Sequence, residues 1–190
     1  PIRTRGTLCG NLCHADPASE MPAVMIAAGA KLVVASAASR RTISAAEFFV
    51  GIYETAIKAD EILLEVRIPV APSNQRFGFV ETSMRHGDFA MCCAAVLVTI
   101  SGGIVERSSV VVAGIFDCAT RLTAVEQAIN GRSPEDIDLA AAGRIAATTL
   151  PIYGDQRVSG EYKTDLIKAH VSRAIAQALA RSAPGSGGLT

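Results

Sequence analysis

The segment Cys92-Cys93-Ala94-Ala95-Val96-Leu97-Val98-Thr99-Ile100 is followed by Ser101-Gly102-Gly103 and then by Ile104-Val105-Glu106-Arg107-Ser108-Ser109-Val110-Val111-Val112-Ala113. Both runs are rich in β-branched residues, which favour extended backbone, and a glycine pair between two such runs suits a tight hairpin turn. Upstream, Arg76 to Met84 reads as a third strand. Downstream, three helices are expected: Thr120 to Asn130 ending at Gly131, Pro134 to Thr149 started by Ser133 with proline at the first helical position, and Ser159 to Arg181. Strands first and helices after predict an α+β layer, a three-stranded antiparallel sheet packed with three helices on one face.

The first half is less regular. Pro1 to His14 reads as a loop. Asp16-Pro17 and Ser19 offer capping chemistry, and Met21, Val24, Met25 and Ala28 have helical spacing up to Gly29, which suits a left-handed helix stop. Lys31 to Ser36, Arg41-Thr42-Ile43 and Ile62 to Ile68 read as extended, with Glu47-Phe48-Phe49 as a packed corner. Pro69 and Pro72 close this half, giving units 1–72 and 73–182, and the Gly/Ser-rich tail 183–190 is expected to be disordered.

Composition narrows the function. The 190 residues are 49% hydrophobic and 19% charged, enough to bury a core, and Lys plus Arg equals Asp plus Glu at 18 each. Such a balance supplies no basic field for nucleic acid or an anionic membrane, and no apolar run is long enough to span a bilayer. The five cysteines are an odd number in a chain that needs no staples, which points to a reducing, cytoplasmic setting.

The segment Thr7-Leu8-Cys9-Gly10-Asn11 is the strongest candidate for chemistry. Its glycine, with Gly6, can turn successive backbone amides to one side, and the helix starting near Ser19 directs its positive end to the same region. That is the physics of a phosphate or nucleotide loop, although a glycine-containing surface turn has the same spacing. Cys9, Cys13 and His14 lack the second ligand pair of a zinc site, so no metal is expected. Cys92 and Cys93 should face opposite sides of a strand. His86 and Asp88 sit in a turn without a nucleophile motif, and a structural Arg85–Asp88 interaction is the better reading.

Arg3-x-Arg5-Gly6-Thr7-Leu8-x-Gly10-Asn11 followed by His14-Ala15-Asp16-Pro17 resembles the second FAD motif in flavin subunits of molybdenum hydroxylases, the xanthine dehydrogenase and carbon monoxide dehydrogenase family. Further similarity covers Glu47-Phe48-Phe49-x-Gly51, Glu61-Ile62-Leu63-Leu64-x-Val66-x-Ile68-Pro69 and Arg85-x-x-Asp88-x-Ala90. The resemblance implies the C-terminal part of a PCMH-type FAD-binding domain followed by the α+β domain. It implies FAD contacts from Thr7, Leu8, Cys9, Gly10 and Asn11, an acceptor at Glu20, and flavin-ring contact at Leu63. Asp16 is either a helix cap or a further contact. Cys9 stands where the family has the first of two glycines. The implied partners are a large subunit with the molybdenum cofactor, a small subunit with iron–sulfur clusters, and an N-terminal FAD lobe as a separate chain or missing segment. Without that lobe, this chain is expected to hold FAD weakly or not at all. The alternative is a non-enzymatic scaffold with a degenerate flavin loop.

Overall fold

The computed structural model describes residues 2–85, 87–156 and 158–181; His86 and the tail 183–190 lie outside them. The chain opens with α1 (Ile2–Arg5), α2 (Leu8–His14) and α3 (Glu20–Ala27). Of the loop expected over residues 1–14, Ile2–Arg5 and Leu8–His14 are therefore corrected to helix, and Pro1 lies outside the described residues. Gly10 suggests a turn, and a mid-helix glycine costs about 1 kcal/mol, but two features offset it. Thr7 is the N-cap residue, its hydroxyl accepting from the Gly10 amide at 3.0 Å, and Leu12 is fully buried. α3 ends as expected, with Gly29 at φ +66°, its amide on the Ile26 carbonyl, and the Ala30 amide on the Met25 carbonyl.

The strands β1 (Lys31–Ala35) and β2 (Arg40–Ser44), the short α4 (Ala45–Phe48), β3 (Phe49–Gly51), β4 (Glu54–Thr55) and β5 (Ile62–Arg67) complete this half. β1 is the centre of an antiparallel sheet ordered β2-β1-β5, with Leu32 opposite both Ile43 and Val66. Arg41 clamps Glu61 through Nε and Nη2, both at 2.7 Å, and also donates to the Ala56 carbonyl. Those bonds, with the Lys58 amide, hold Glu61 down to about 2 from an ordinary 4.5. A lowered carboxylate stabilises the fold above its unfolded value and loses that contribution as acid protonates it. The stability advantage of the natural chain over Glu61→Gln should thus be full at neutral pH, shrink below about 4.5 and vanish near 2, as thermal unfolding across that range would show.

The second half contains β6 (Gln75–Ser83), β7 (Ala90–Ser101), β8 (Ile104–Ala113) and β9 (Thr120–Arg121), then α5 (Thr123–Ile129), α6 (Leu139–Thr148) and α7 (Gly160–Ala180). The predicted hairpin forms, with Ser101 opposite Ile104 and the left-handed pair Gly102 and Gly103 at the turn. To the three expected strands the structure adds β9, in the order β6-β7-β8-β9. Thr120 and Arg121 are taken by that strand, so the first helix starts later than expected. The second is also shortened, because Ser133-Pro134 starts a separate 3-10 turn and Asp138 caps α6 by accepting from Ala141 at 2.9 Å. Ser159 caps α7 through the Tyr162 amide.

The sheet is buried on both faces, not one. Cys92, Ala94, Val96 and Val98 of β7 pack with Val110 and Val112 against α5, α6 and α7. Cys93, Ala95, Val111 and Ala113 pack on the other side with Ala23, Met25 and Ile26 of α3. Double burial explains why β7 and β8 read as continuous apolar runs. The adjacent cysteines separate as expected, one into each core.

Candidate functional site: the end of helix α2

α2 presents its N-terminus beside the start of α3. The first amides of a helix have no intrahelical acceptor, so those of Leu8 and Cys9 are available to an anion, and no acidic side chain occupies this first turn. The amides of Gly10 and Asn11 are not available: they donate to the Thr7 hydroxyl and the Thr7 carbonyl, each at 3.0 Å. The expected row of amides from Thr7 to Asn11 is therefore corrected to a capped helix end. A Cβ on Gly10 would lie 2.9 Å from the Thr7 hydroxyl oxygen, so a side chain there would make that capping hydroxyl shift. Cys9 lies within the helix and takes none of the positive φ values, which among the described non-glycine residues fall on Ala15 and Tyr53. A cysteine is therefore held at this position without backbone strain.

Asn11 ties this helix to the next. Its side-chain oxygen accepts from the Ser19 hydroxyl at 2.9 Å, leaving its amide nitrogen as a donor. Beside this contact is a hollow of about 280 Å³ lined by Asn11, Ser19, Glu20, Met21, Asp88 and Phe89. Glu20 is exposed at its edge. Next to it, Glu81 of β6 is pushed up to about 7, first by burial and then by its contact with the Glu20 carboxyl. The Asp88 amide donates to the Arg85 carbonyl at 3.0 Å, so the Arg85–Asp88 interaction is a backbone turn.

The other expected residues divide. Leu63 lies on β5, the strand that packs against α2, and its side chain packs on the core beneath. Asp16 is 9% exposed, and both its oxygens are taken within the chain: one by the Ala18 amide at 2.9 Å, the other by the Tyr53 hydroxyl at 3.3 Å. It fixes the turn between α2 and α3. Tyr53 was not singled out from sequence, yet its amide bonds the Ala15 carbonyl and its ring lies 5.0 Å from that of His14. The Asp16 charge pushes its hydroxyl up, keeping the donor protonated. Glu81 was missed as well, although an acid in line with Phe77 and Phe79 on the α3 side of β6 is a readable signal.

Residues 1–71 match the FAD binding domain in molybdopterin dehydrogenase, and residues 78–178 match the CO dehydrogenase flavoprotein C-terminal domain. With the α+β architecture, these matches define an FAD-binding module. The chain belongs to the CO dehydrogenase flavoprotein family of molybdenum hydroxylases.

Among its relatives, the caffeine dehydrogenase subunit beta of Pseudomonas sp. (strain CBB1) is 40% identical over 95% of this chain and 61% of its own length. The nicotine 6-hydroxylase medium subunit of Paenarthrobacter nicotinovorans is 36% identical over 95% of this chain and 63% of its own. The carbon monoxide dehydrogenase structure from Hydrogenophaga pseudoflava superposes with a TM-score of 0.91 at 31% identity, covering 96% of this chain and 63% of that one. The chain thus spans about three fifths of the length of these relatives.

Proposed function

We propose that this chain is part of an FAD-binding electron-transfer subunit of a molybdenum-containing hydroxylase or dehydrogenase, acting in the cytoplasm. Its partners in this reading are a large subunit with the molybdenum cofactor and a small subunit with iron–sulfur clusters, from which electrons reach FAD and then an acceptor. The observation that carries the reading is the end of α2: two amides without helical partners, no acid in the first turn, and a glycine where a side chain would displace the cap. When bound, FAD supplies the redox chemistry, and the protein supplies position and electrostatics.

In this reading the Leu8 and Cys9 amides bind phosphate oxygens, and the Thr7 hydroxyl and Asn11 amide group orient the neighbouring chain of the nucleotide. Gly10 keeps the cap closed, Glu20 accepts a hydrogen bond from the bound group, and Leu63 contributes an aliphatic contact. Asp16 acts through Tyr53 and the turn instead of touching the cofactor. The two units 1–72 and 73–182 divide the work, the first holding the nucleotide and the second backing α3.

The full-length subunit should bind FAD, with the flavin absorption bands and quenched fluorescence that go with it. Thr7→Val or Gly10→Ala should weaken binding about tenfold, the scale of one or two lost hydrogen bonds. Equal FAD affinity in both variants would remove the α2 end from the site, and no FAD in the full-length subunit would overturn the function.

A further inference from the structure

α2 carries two thiols to which flavin binding as described assigns no chemistry. Cys9 and Cys13 are one helical turn apart on the same face, Cys9 partly exposed and Cys13 exposed. They are close enough for Cys9 to act electrostatically on Cys13. The other cysteines are differently placed. Cys92 and Cys93 are fully buried in separate cores, with burial pushing the Cys93 thiol up to about 12, and Cys118, partly exposed like Cys9, donates to the Phe49 carbonyl at 3.7 Å. The α2 pair thus offers a small oxidant two solvent-reached thiols within one helical turn.

We propose that Cys9 and Cys13 form a peroxide-sensitive dithiol whose closure to a disulfide deforms α2 and releases the flavin nucleotide. The second half of this proposal rests on the function proposed above. Side chains at i and i+4 of a helix have Cβ atoms about 5–6 Å apart. A disulfide requires roughly 3.5–4.5 Å, so closure must draw this turn together by about 1–2 Å. α2 has seven residues, a single side-chain cap from Thr7 and one fully buried side chain, Leu12, so little resists that movement. Gly10 and Asn11 lie inside the closed ring. The cap and the two phosphate-facing amides are therefore within the part that moves.

The chemistry balances with hydrogen peroxide as the oxidant. The Cys9 sulfur attacks one peroxide oxygen, the O–O bond breaks, and water leaves behind a sulfenic acid. The two sulfurs can exchange these roles without changing the balance. The Cys13 sulfur then attacks the Cys9 sulfur and a second water departs. Two thiols and one peroxide give one disulfide and two waters. Because linkage is reciprocal, bound flavin must oppose closure by the same factor by which closure weakens flavin binding.

The test uses the full-length subunit and hydrogen peroxide, with intact mass, peptide mapping and FAD affinity as readouts. The expected result is loss of two hydrogens mapped to a Cys9–Cys13 bridge, FAD affinity at least tenfold weaker, recovery with dithiothreitol, and slower bridging when FAD is present. Cys13→Ser should bind FAD normally and keep its affinity through peroxide treatment. Three results would overturn the proposal: no bridge, a bridge with unchanged affinity, or equal peroxide sensitivity in Cys13→Ser. Should the reduced subunit bind no FAD, the functional reading fails separately. The dithiol then stands or falls on the bridge and on faster amide hydrogen exchange in Leu8–His14.

Discussion

Gly78→Val is expected to destabilise the protein by about 4 kcal/mol, a loss at the extreme end of single substitutions, visible as a sharp drop in thermal midpoint or as insoluble expression. Gly78 sits on β6 where α7 crosses it. A Cβ there would lie 1.9 Å from the Ala174 carbonyl oxygen and 2.8 Å from its carbon, so the helix backbone itself must retreat. Retreat breaks more than packing. The edge of β6 is closed by α7: the Phe79 amide donates to the Gln177 side chain at 2.6 Å, and Arg76 donates to the Leu179 carbonyl at 2.9 Å. Moving α7 would free that edge for pairing with other chains. Gly29→Ala provides the contrast. Gly29 has open space around its Cβ position and only its φ of +66° to oppose a side chain, so its cost should be about 1 kcal/mol.

Glu126→Ala is expected to cost about 3 kcal/mol, and roughly 10 °C in thermal midpoint for a chain of this size. Glu126 is on α5, yet one carboxylate oxygen accepts from the Val110 amide of β8 at 2.9 Å and from Arg121 Nε at 2.8 Å, and the other from Arg121 Nη2 at 2.9 Å. The carboxylate replaces the acceptor that a longer fourth strand would offer. Alanine leaves a buried amide without a partner and an arginine without its anion. Glu126→Gln keeps an oxygen for Val110 and should lose about half as much. Equal losses in the two variants would show that charge, not the β8 amide, dominates.

These two positions show which parts of the fold local sequence carries. The β7–β8 hairpin, the α3 stop at Gly29 and the helix beginning near Ser159 were readable because each depends on residues a few positions apart. β9 was not, since Thr120 and Arg121 become a strand only by lying beside Val111 and Val112. Nor was the role of α3 as the second cover of the sheet, which no helix-strand order specifies. At the site, Thr7, Gly10 and Asn11 were legible as a group, but the helix they form was hidden because Gly10 weighs against it until the Thr7 cap is seen. The pairings of Tyr53 with Asp16 and of Glu81 with Glu20 join distant parts of the chain, so periodicity shows neither pairing even though it marks the face of β6 that carries Glu81.

The double burial of β7 and β8 bears on how this polypeptide can be dissected. Excising residues 78–178 at the family boundary would strip α3 from Cys93, Ala95, Val111 and Ala113 and leave a greasy, flat raft facing water. The workable unit for biophysics keeps α3 attached, so the cut that sequence families suggest is not the cut that solubility permits.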